Sequence, residues 1–364
     1  MTRALLARAE REGAPLIDGD SVTFVWRGRN PPDGSEPRLL GDFNNWDIAN
    51  PIALARASAG VWTHTLDLPP DAYIEYAYVR PDALVKHGNP ERVPDPFNRR
   101  RTPNGLGKFN HFFYMPQAAP VRFTRRAKNV PRGVLTRHVL KVPNLVAGGE
   151  RAAWLYQPPG DEPTPLLLVY DGADYLRRAR LVAMVEGLMA QRRIAPLALA
   201  LLANGRQARM IEYACSDATL SFVTQHVLPL ARRELNLLDP AESSGAFGVL
   251  GASMGGLMAL YTGLRLPQVF GRVLSQSGAF ILPDHEFVTA QLLREGERKP
   301  LRIWMDVGRY EWLLQSNRTT HDLLRARGYA VEYREFNAGH NYPAWRDDLP
   351  RGLEAMFGDV KRET

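Results

Sequence analysis

The segment that most constrains the fold lies at residues 246–261. Residues 246–250 form a short apolar run that predicts a buried strand, and residues 257–261 predict the start of a helix. Between them the chain reads Gly251-Ala252-Ser253-Met254-Gly255-Gly256. Its small residues let the backbone turn tightly enough to lift the Ser253 hydroxyl clear of the sheet. Strand, tight turn and helix are the setting of a nucleophile elbow. The segment therefore predicts a catalytic serine; the alternative is a structural glycine-rich turn.

From about residue 134 onward, candidate strands and helices alternate along the chain. This alternation predicts a mostly parallel sheet with helices on both faces, the α/β class. The predicted strands are 137–142, 152–157, 166–170, 197–202, 247–250, 273–276, 302–307 and 331–336, and the predicted helices are 176–191, 219–235, 255–265, 286–294 and 315–327.

The first 118 residues have a different pattern, with short alternating strands separated by turn residues. This pattern predicts an all-β sandwich. The chain is long enough, at 364 residues, for two domains that each bury a core. We therefore predict an N-terminal domain at 1–118, a basic, proline-containing linker at 119–133 and a catalytic domain at 134–364. The predicted strands of the N-terminal domain are 22–26, 38–43, 60–66, 73–79 and 110–115.

A serine hydroxyl is a poor nucleophile at neutral pH and needs a base within hydrogen-bond reach, which in turn needs an orienting carboxylate. In α/β-hydrolases these residues follow the chain order serine, acid, histidine. His340 follows the final predicted strand, 331–336, in a glycine-containing loop. We therefore predict Ser253 as the nucleophile and His340 as the base.

The acid should follow the strand that precedes the histidine strand. Glu311 lies three residues after Gly308, beyond the predicted strand 302–307, and is the predicted acid. Asp306 is the alternative, although we expect it inside the strand. Asp347 and Asp348 come after the histidine and violate the chain order.

A tetrahedral oxyanion needs two hydrogen-bond donors. One predicted donor is the backbone N–H of Met254, directly after the nucleophile. The other should come from the loop after strand 166–170, from the N–H of Gly172 or Ala173. We expect Asp171 to brace this loop.

Several classes of function find no support in the sequence. There is no H-E-x-x-H or Walker motif and only one cysteine, so we predict chemistry without a metal or another cofactor. The net charge of +7 accompanies no nucleic-acid-binding pattern. No apolar stretch reaches membrane-spanning length, and the N-terminal residues lack the apolar core of a secretion signal. We expect a cytoplasmic enzyme that acts on a small-molecule ester and contacts neither nucleic acid nor membrane.

Taken together, the motifs resemble the enterochelin (ferric enterobactin) esterase family, within the esterase D-like branch of the α/β-hydrolases. The resemblance implies an α/β-hydrolase catalytic domain behind an immunoglobulin-like (early-set) sandwich, with Ser253, His340 and Glu311 as the triad. It further implies hydrolysis of the ester bonds of a catecholate siderophore, which would release iron inside the cell. Asp171, Tyr342 and Trp345 are the expected substrate-binding residues. The motifs are 169–172, 251–256, 308–311, 339–342 with Trp345, 22–26 and 41–46.

The motif Gly41-Asp42-Phe43-Asn44-Asn45-Trp46 also favours a second hypothesis. It is similar to the glycogen- and starch-binding early-set sandwich that precedes some feruloyl and acetyl-xylan esterases. In that case Trp46 and Trp62 would stack on sugar rings; otherwise both are core or interface residues. A third hypothesis, a non-catalytic binding protein with the same fold, is disfavoured because serine, acid and histidine are all present in order.

Overall fold

A computed structural model describes residues 2–28, 37–85, 89–105, 107–121, 129–142, 145–282 and 285–358. The chain divides into two compact units. The first comprises Met1–Pro120 with the short segments Gly308–Trp312 and Phe336–Ala344, and the second comprises Val121–Val307, Leu313–Glu335 and Trp345–Thr364. Residues 122–128 of the predicted linker lie outside the described residues. The predicted boundaries at 118 and 134 stay a prediction.

Within the residues that the structure describes, the first unit contains one helix and two antiparallel sheets. The sheets have the strand orders β1-β2-β6-β5 and β4-β3-β7-β10-β9, with β8 paired to β7. A 3₁₀ turn at Asp42–Asn44 follows β3. The elements are α1 (Thr2–Glu12), β1 (Leu16–Asp18), β2 (Ser21–Arg27), β3 (Arg38–Gly41), β4 (Ile52–Ala53), β5 (Ala55–Ser58), β6 (Val61–Asp67), β7 (Tyr73–Val85), β8 (Asn89–Val93), β9 (Arg101–Pro103) and β10 (Phe109–Tyr114).

The core of the first unit is rich in aromatic side chains, which come from both of its sheets. Phe24 of β2 is fully buried and packs edge-to-face on Tyr76 of β7 and Phe113 of β10, with ring centroids 5.0 and 5.9 Å apart. Edge-to-face packing suits the opposite partial charges of ring faces and ring edges. The predicted sandwich is therefore confirmed, with its two sheets packed through aromatic side chains.

In the described part of the second unit, eight strands form one sheet with the order β11-β12-β14-β13-β15-β16-β19-β20. Its strands β11 and β12 are antiparallel to their neighbours, whereas β14, β13, β15, β16 and β19 form parallel pairs. The strands are β11 (Val134–Lys141), β12 (Glu150–Gln157), β13 (Leu166–Val169), β14 (Ala198–Leu202), β15 (Phe247–Ala252), β16 (Phe270–Gln276), β19 (Arg302–Tyr310) and β20 (Ala330–Gly339), with a hairpin of β17 (Ile281–Leu282) and β18 (His285–Glu286).

The helices of the second unit cover this sheet. Every residue of β13, β14 and β15 is buried, as expected for parallel strands with both faces covered. A π-helical turn at Val223–Val227 joins two of the helices into one run. The described helices that follow β13 are α2 (Gly172–Arg177), α3 (Leu181–Ala190), α4 (Arg209–Glu212), α5 (Asp217–Phe222), α6 (Leu228–Glu234), α7 (Met254–Arg265), α8 (Val288–Glu295), α9 (Leu314–Ala326) and α10 (Tyr342–Phe357).

All eight predicted strands of the sheet are present, and the predicted α/β class is confirmed. The predicted helix 176–191 is wrong as a single element, because Arg180 takes a left-handed conformation between α2 and α3. The sequence patterns did not predict α1 or α10. Strands β19 and β20 continue three residues beyond their predicted ends, so Glu311 and His340 directly follow strands. Among the described residues, no helix is both long and apolar enough to cross a bilayer.

Candidate active site

Ser253 occupies a sharp turn between a strand and a helix. β15 ends at Ala252, α7 begins at Met254, and Ser253 lies between them with φ 60° and ψ −124°. A positive φ is strained for a residue with a side chain, and such strain is concentrated at functional sites. The Ser253 N–H donates to the carbonyl of Gln276 at 2.9 Å, and the Ser253 carbonyl accepts from the Ala279 N–H at 3.0 Å. The turn is therefore held by the end of β16 and has the geometry of a nucleophile elbow.

The elbow depends on a close approach of two backbone segments. A Cβ atom added at Gly251 would lie 2.2 Å from the carbonyl oxygen of Gly255. Any side chain at position 251 would therefore push the strand away from the first turn of α7. This explains the glycine that the sequence motif contains two residues before the serine.

The predicted oxyanion loop directly follows β13. Asp171 has φ 54°, and α2 begins at Gly172, so the N–H groups of Gly172 and Ala173 belong to the first turn of that helix. Met254 occupies the same place in α7. The first N–H groups of a helix have no acceptor within the helix and carry its positive dipole end. All three predicted donors therefore lie at helix N-termini, where a developing negative charge is stabilised.

Arg209, on the short helix α4, connects this loop to the elbow. Its Nε and Nη2 atoms donate to the two carboxylate oxygens of Asp171 at 2.8 and 2.6 Å, and Nη2 also donates to the carbonyl of Ala252 at 3.2 Å. Asn204 adds a 2.6 Å hydrogen bond to Asp171. The carboxylate of Asp171 is thus buried, and its hydrogen bonds fix the predicted oxyanion loop to Arg209 and Asn204. Sequence reasoning missed Arg209, since it lies 38 residues from Asp171 among many arginines.

Glu311 and His340 form a hydrogen-bonded pair. Oε2 of Glu311 bonds to Nδ1 of His340, and Oε1 accepts from the N–H of Gly308 at 2.6 Å. Glu311 is buried, whereas the His340 side chain is 27 % exposed. The carboxylate of Glu311 thus holds Nδ1 and fixes the orientation of the imidazole ring. The structure therefore brings the predicted base and the predicted acid together.

Asp306, the alternative acid, lies within β19 and is fully buried. Its Oδ2 accepts from Nε2 of Gln276 at 2.8 Å and from Nε1 of Trp304 at 3.1 Å. Asp347 and Asp348, the two aspartates that follow His340 in the sequence, lie on α10. Asp348 pairs with Arg334 at 2.6 Å, and Asp347 accepts a hydrogen bond from the N–H of Val121 at 3.1 Å.

Asp42 of the first unit contacts the residues on both sides of His340. Its Oδ2 accepts from Nδ2 of Asn341 at 3.4 Å, and its Oδ1 lies 2.2 Å from where a Cβ atom of Gly339 would be. Burial and the neighbouring carboxylate of Glu75 raise the pKa of Asp42 well above its ordinary value. The N-terminal motif, interpreted from sequence as a feature of sugar-binding sandwiches, thus packs against the histidine segment.

The two tryptophans considered for sugar stacking make contacts within the protein. Trp62 is 3 % exposed and packs on Trp26 with ring centroids 5.2 Å apart. Trp46 donates from Nε1 to Oδ1 of Asp42 at 2.9 Å, and the guanidinium of Arg92 lies 5.1 Å from its ring centre. These contacts favour the interpretation of both as core or interface residues.

Tyr342 and Trp345, two of the expected substrate-binding residues, are in the first turn of α10. Both are buried, with exposed fractions of 7 % and 4 %. Nε1 of Trp345 donates to Oγ of Ser277 at 2.8 Å, and its carbonyl accepts from Nε2 of Gln276 at 3.0 Å. Trp345 therefore fixes the start of α10 to the end of β16.

The fold and the site define a serine-type ester hydrolase. Among the described residues, no group of three or more His, Cys, Asp or Glu side chains is placed to hold a metal ion. The chain belongs to the putative esterase family, whose sequence profile matches residues 146–356.

Three relatives illustrate its place in that family. The iron(III) enterobactin esterase of Dickeya dadantii is 28 % identical over 404 residues, covering 95 % of this chain and 91 % of the relative. The crystal structure of ferric enterobactin esterase from Salmonella typhimurium is 25 % identical, with a TM-score of 0.78 and coverage of 94 % of this chain and 95 % of the other. A ferulic acid esterase from Anaeromyces mucronatus is 16 % identical, with a TM-score of 0.55 and coverage of 66 % and 96 %, and shares the catalytic fold alone.

Proposed function

We propose that this protein is a serine esterase that hydrolyses the ester bonds of a ferric catecholate siderophore of the enterobactin type. The observation that carries the proposal is the hydrogen-bonded pair of Glu311 and His340, in a chain that also presents Ser253 on an elbow. The names of two relatives that align along nearly their whole length support the substrate class.

The topology of the sheet supports the proposed triad. β15 and β19 belong to one series of parallel strands through β16, and β20 is the neighbour of β19 in the strand order. Parallel strands present their carboxyl ends at one edge of a sheet, where ligands bind in open α/β folds. Ser253 and Glu311 both follow carboxyl ends of such strands, and Glu311 bonds to His340.

In the proposed reaction, Oγ of Ser253 attacks the ester carbonyl carbon while Nε2 of His340 takes its proton. Glu311 holds the imidazole through Nδ1 and stabilises the imidazolium that forms. The N–H of Met254 and an N–H of Gly172 or Ala173 stabilise the oxyanion. His340 then returns the proton to the departing alcohol. A water molecule, deprotonated by His340, cleaves the acyl-enzyme and restores the serine.

The protein's charge is compatible with this substrate. The net charge of +7 favours encounter with an anionic ferric catecholate complex. Asp171, Tyr342 and Trp345 remain proposed contributors to the substrate site, Asp171 through the oxyanion loop that it braces. The cytoplasm remains the proposed location.

The carbohydrate-ester hypothesis has less support. Its N-terminal stacking residues, Trp46 and Trp62, are engaged in the contacts described above. The ferulic acid esterase aligns with only 66 % of this chain, whereas the enterobactin esterase structure aligns with 94 %.

The test is hydrolysis of ferric enterobactin beside feruloyl and acetyl-xylan esters, with the products identified by mass spectrometry. We expect linear dihydroxybenzoylserine species and a kcat/KM of about 10⁴ M⁻¹s⁻¹ or higher. A preference for the sugar esters would overturn the siderophore proposal and leave the esterase assignment intact.

A further inference from the structure

One large aromatic side chain beside the proposed base has no part in the mechanism described above. Trp312 is 51 % exposed, whereas the other six tryptophans are buried or half-buried. A single exposed hydrophobic side chain is ordinary on a protein surface. The position of Trp312, directly after Glu311 and next to His340, is what distinguishes it.

The indole of Trp312 lies alongside the imidazole of His340. The two ring centroids are 6.3 Å apart and the ring planes are inclined by 40°. The rings are therefore neighbours without being stacked, and the exposed half of the indole remains open to a ligand. A reacting oxygen bound to Nε2 of His340 lies about 3 Å from that atom. The indole therefore borders the place where the reacting ester of a bound substrate would lie.

The backbone around Trp312 is held on both sides. Glu311 is fixed by its hydrogen bonds to Gly308 and His340. Leu313, the next residue, is fully buried in the hydrophobic core and precedes α9. An aromatic ring on such a backbone loses little conformational freedom when a ligand binds, and preorganisation of this kind improves affinity.

We infer that Trp312 is a substrate-binding residue. Its indole packs against the aromatic ring that the substrate carries on the amino group of its own serine unit. This inference rests on the proposed function, because it assigns a ring-binding surface to the same site. The preferred ligand class is an ester of a serine whose amino group carries a dihydroxybenzoyl group. Aromatic pairs of this kind contribute through offset or edge-to-face contact beyond the area that they bury.

The experiment compares two esters that differ only in the aromatic ring. They are the methyl esters of N-(2,3-dihydroxybenzoyl)serine and N-acetylserine, assayed with wild type, Trp312→Ala and Trp312→Phe. For Trp312→Ala we expect KM for the dihydroxybenzoyl ester to rise about fivefold to tenfold, and kinetics on the acetyl ester to change less than about twofold. Trp312→Phe should restore most of the lost affinity, because it retains a ring.

Phe109→Ala is the matched control, since Phe109 is an exposed aromatic residue of the same unit at 60 % exposure. It should leave both esters unaffected. An equal loss of kcat on both esters in Trp312→Ala would overturn the inference and indicate a structural role beside His340, as would an unchanged KM for the aromatic ester. The proposed function fails separately, if wild type does not hydrolyse ferric enterobactin.

Discussion

The nucleophile segment, residues 251–256, and the histidine segment, residues 339–341, are stabilised in different ways. The elbow at Ser253 is held by backbone hydrogen bonds and by the absence of a side chain at Gly251. The histidine segment is held by carboxylates: Glu311 bonds to His340 itself, and Asp42 contacts the residues on either side of it. The first arrangement depends on backbone hydrogen bonds and on close backbone packing, and the second depends on the carboxylates of acidic side chains.

This difference predicts different responses to mutation. A steric arrangement should fail when volume is added and should be insensitive to pH. A carboxylate arrangement should respond to neutral isosteres and to pH, because the charge of a buried carboxylate changes its interaction with every neighbour.

The largest expected contrast is between removal of the nucleophile and removal of the acid. Ser253→Ala should lower kcat on ferric enterobactin by about 10⁶-fold and abolish labelling by a fluorophosphonate probe. Glu311→Gln should lower kcat by about 10⁴-fold, since the serine and the base remain while the imidazole loses its orienting charge. Equal losses in the two variants would contradict the separate roles that we assign.

Arg209→Ala should disrupt the contact between the oxyanion loop and the elbow. It leaves the buried carboxylate of Asp171 without its ionic partner, which costs about 3 kcal/mol of unfolding free energy. We also expect kcat to fall while KM changes little, because the oxyanion loop loses its connection to Ala252. Urea denaturation and steady-state kinetics measure the two effects. Arg206→Ala, at a neighbouring exposed arginine, should be close to wild type in both.

Gly251→Ala tests the steric character of the elbow. The new Cβ would lie 2.2 Å from the carbonyl of Gly255, so we expect a loss of about 1–3 kcal/mol together with a loss of activity. Gly255→Ala is the control, because its nearest atom is Oδ2 of Asp171 at 3.2 Å and a small shift relieves the contact. Thermal melts that rank the two variants in the reverse order would refute this interpretation of the turn.

Asp42→Asn gives the smallest expected effect, and it depends on pH. The pKa of Asp42 is raised on folding by burial and by Glu75, so its ionisation opposes folding. The favourable contribution of the protonated form is complete below the unfolded pKa and is lost as pH rises through the folded pKa. The melting temperature of Asp42→Asn relative to wild type should therefore increase with pH.

Asp47→Asn is the matched control for this measurement. Asp47 is exposed, and a hydrogen bond from the Asn50 side chain lowers its pKa. Its contribution is present above the unfolded pKa and is lost as pH falls through the folded pKa. The melting temperature of Asp47→Asn relative to wild type should therefore decrease slightly as pH rises. Two slopes of the same sign would contradict the assignment for Asp42.

Local sequence patterns were enough to predict the class of the fold, the eight strands of the sheet and the chain order of Ser253, Glu311 and His340. These features depend on short-range rules, since apolar periodicity predicts strands and small residues around a serine predict a tight turn. The same rules did not predict α10, which contains Pro350 within the helix, because tertiary packing overrides local propensity there.

Which side chains contact each other depends on the tertiary structure. The hydrogen bond between Asp42 and Asn341 joins residues 299 positions apart, and Arg209 reaches both Asp171 and Ala252. The position of Trp312 beside His340 likewise depends on how far β19 and β20 extend before they end. Such contacts arise from the packing of elements that are distant in sequence, and no local pattern of residues encodes the distance between two side chains.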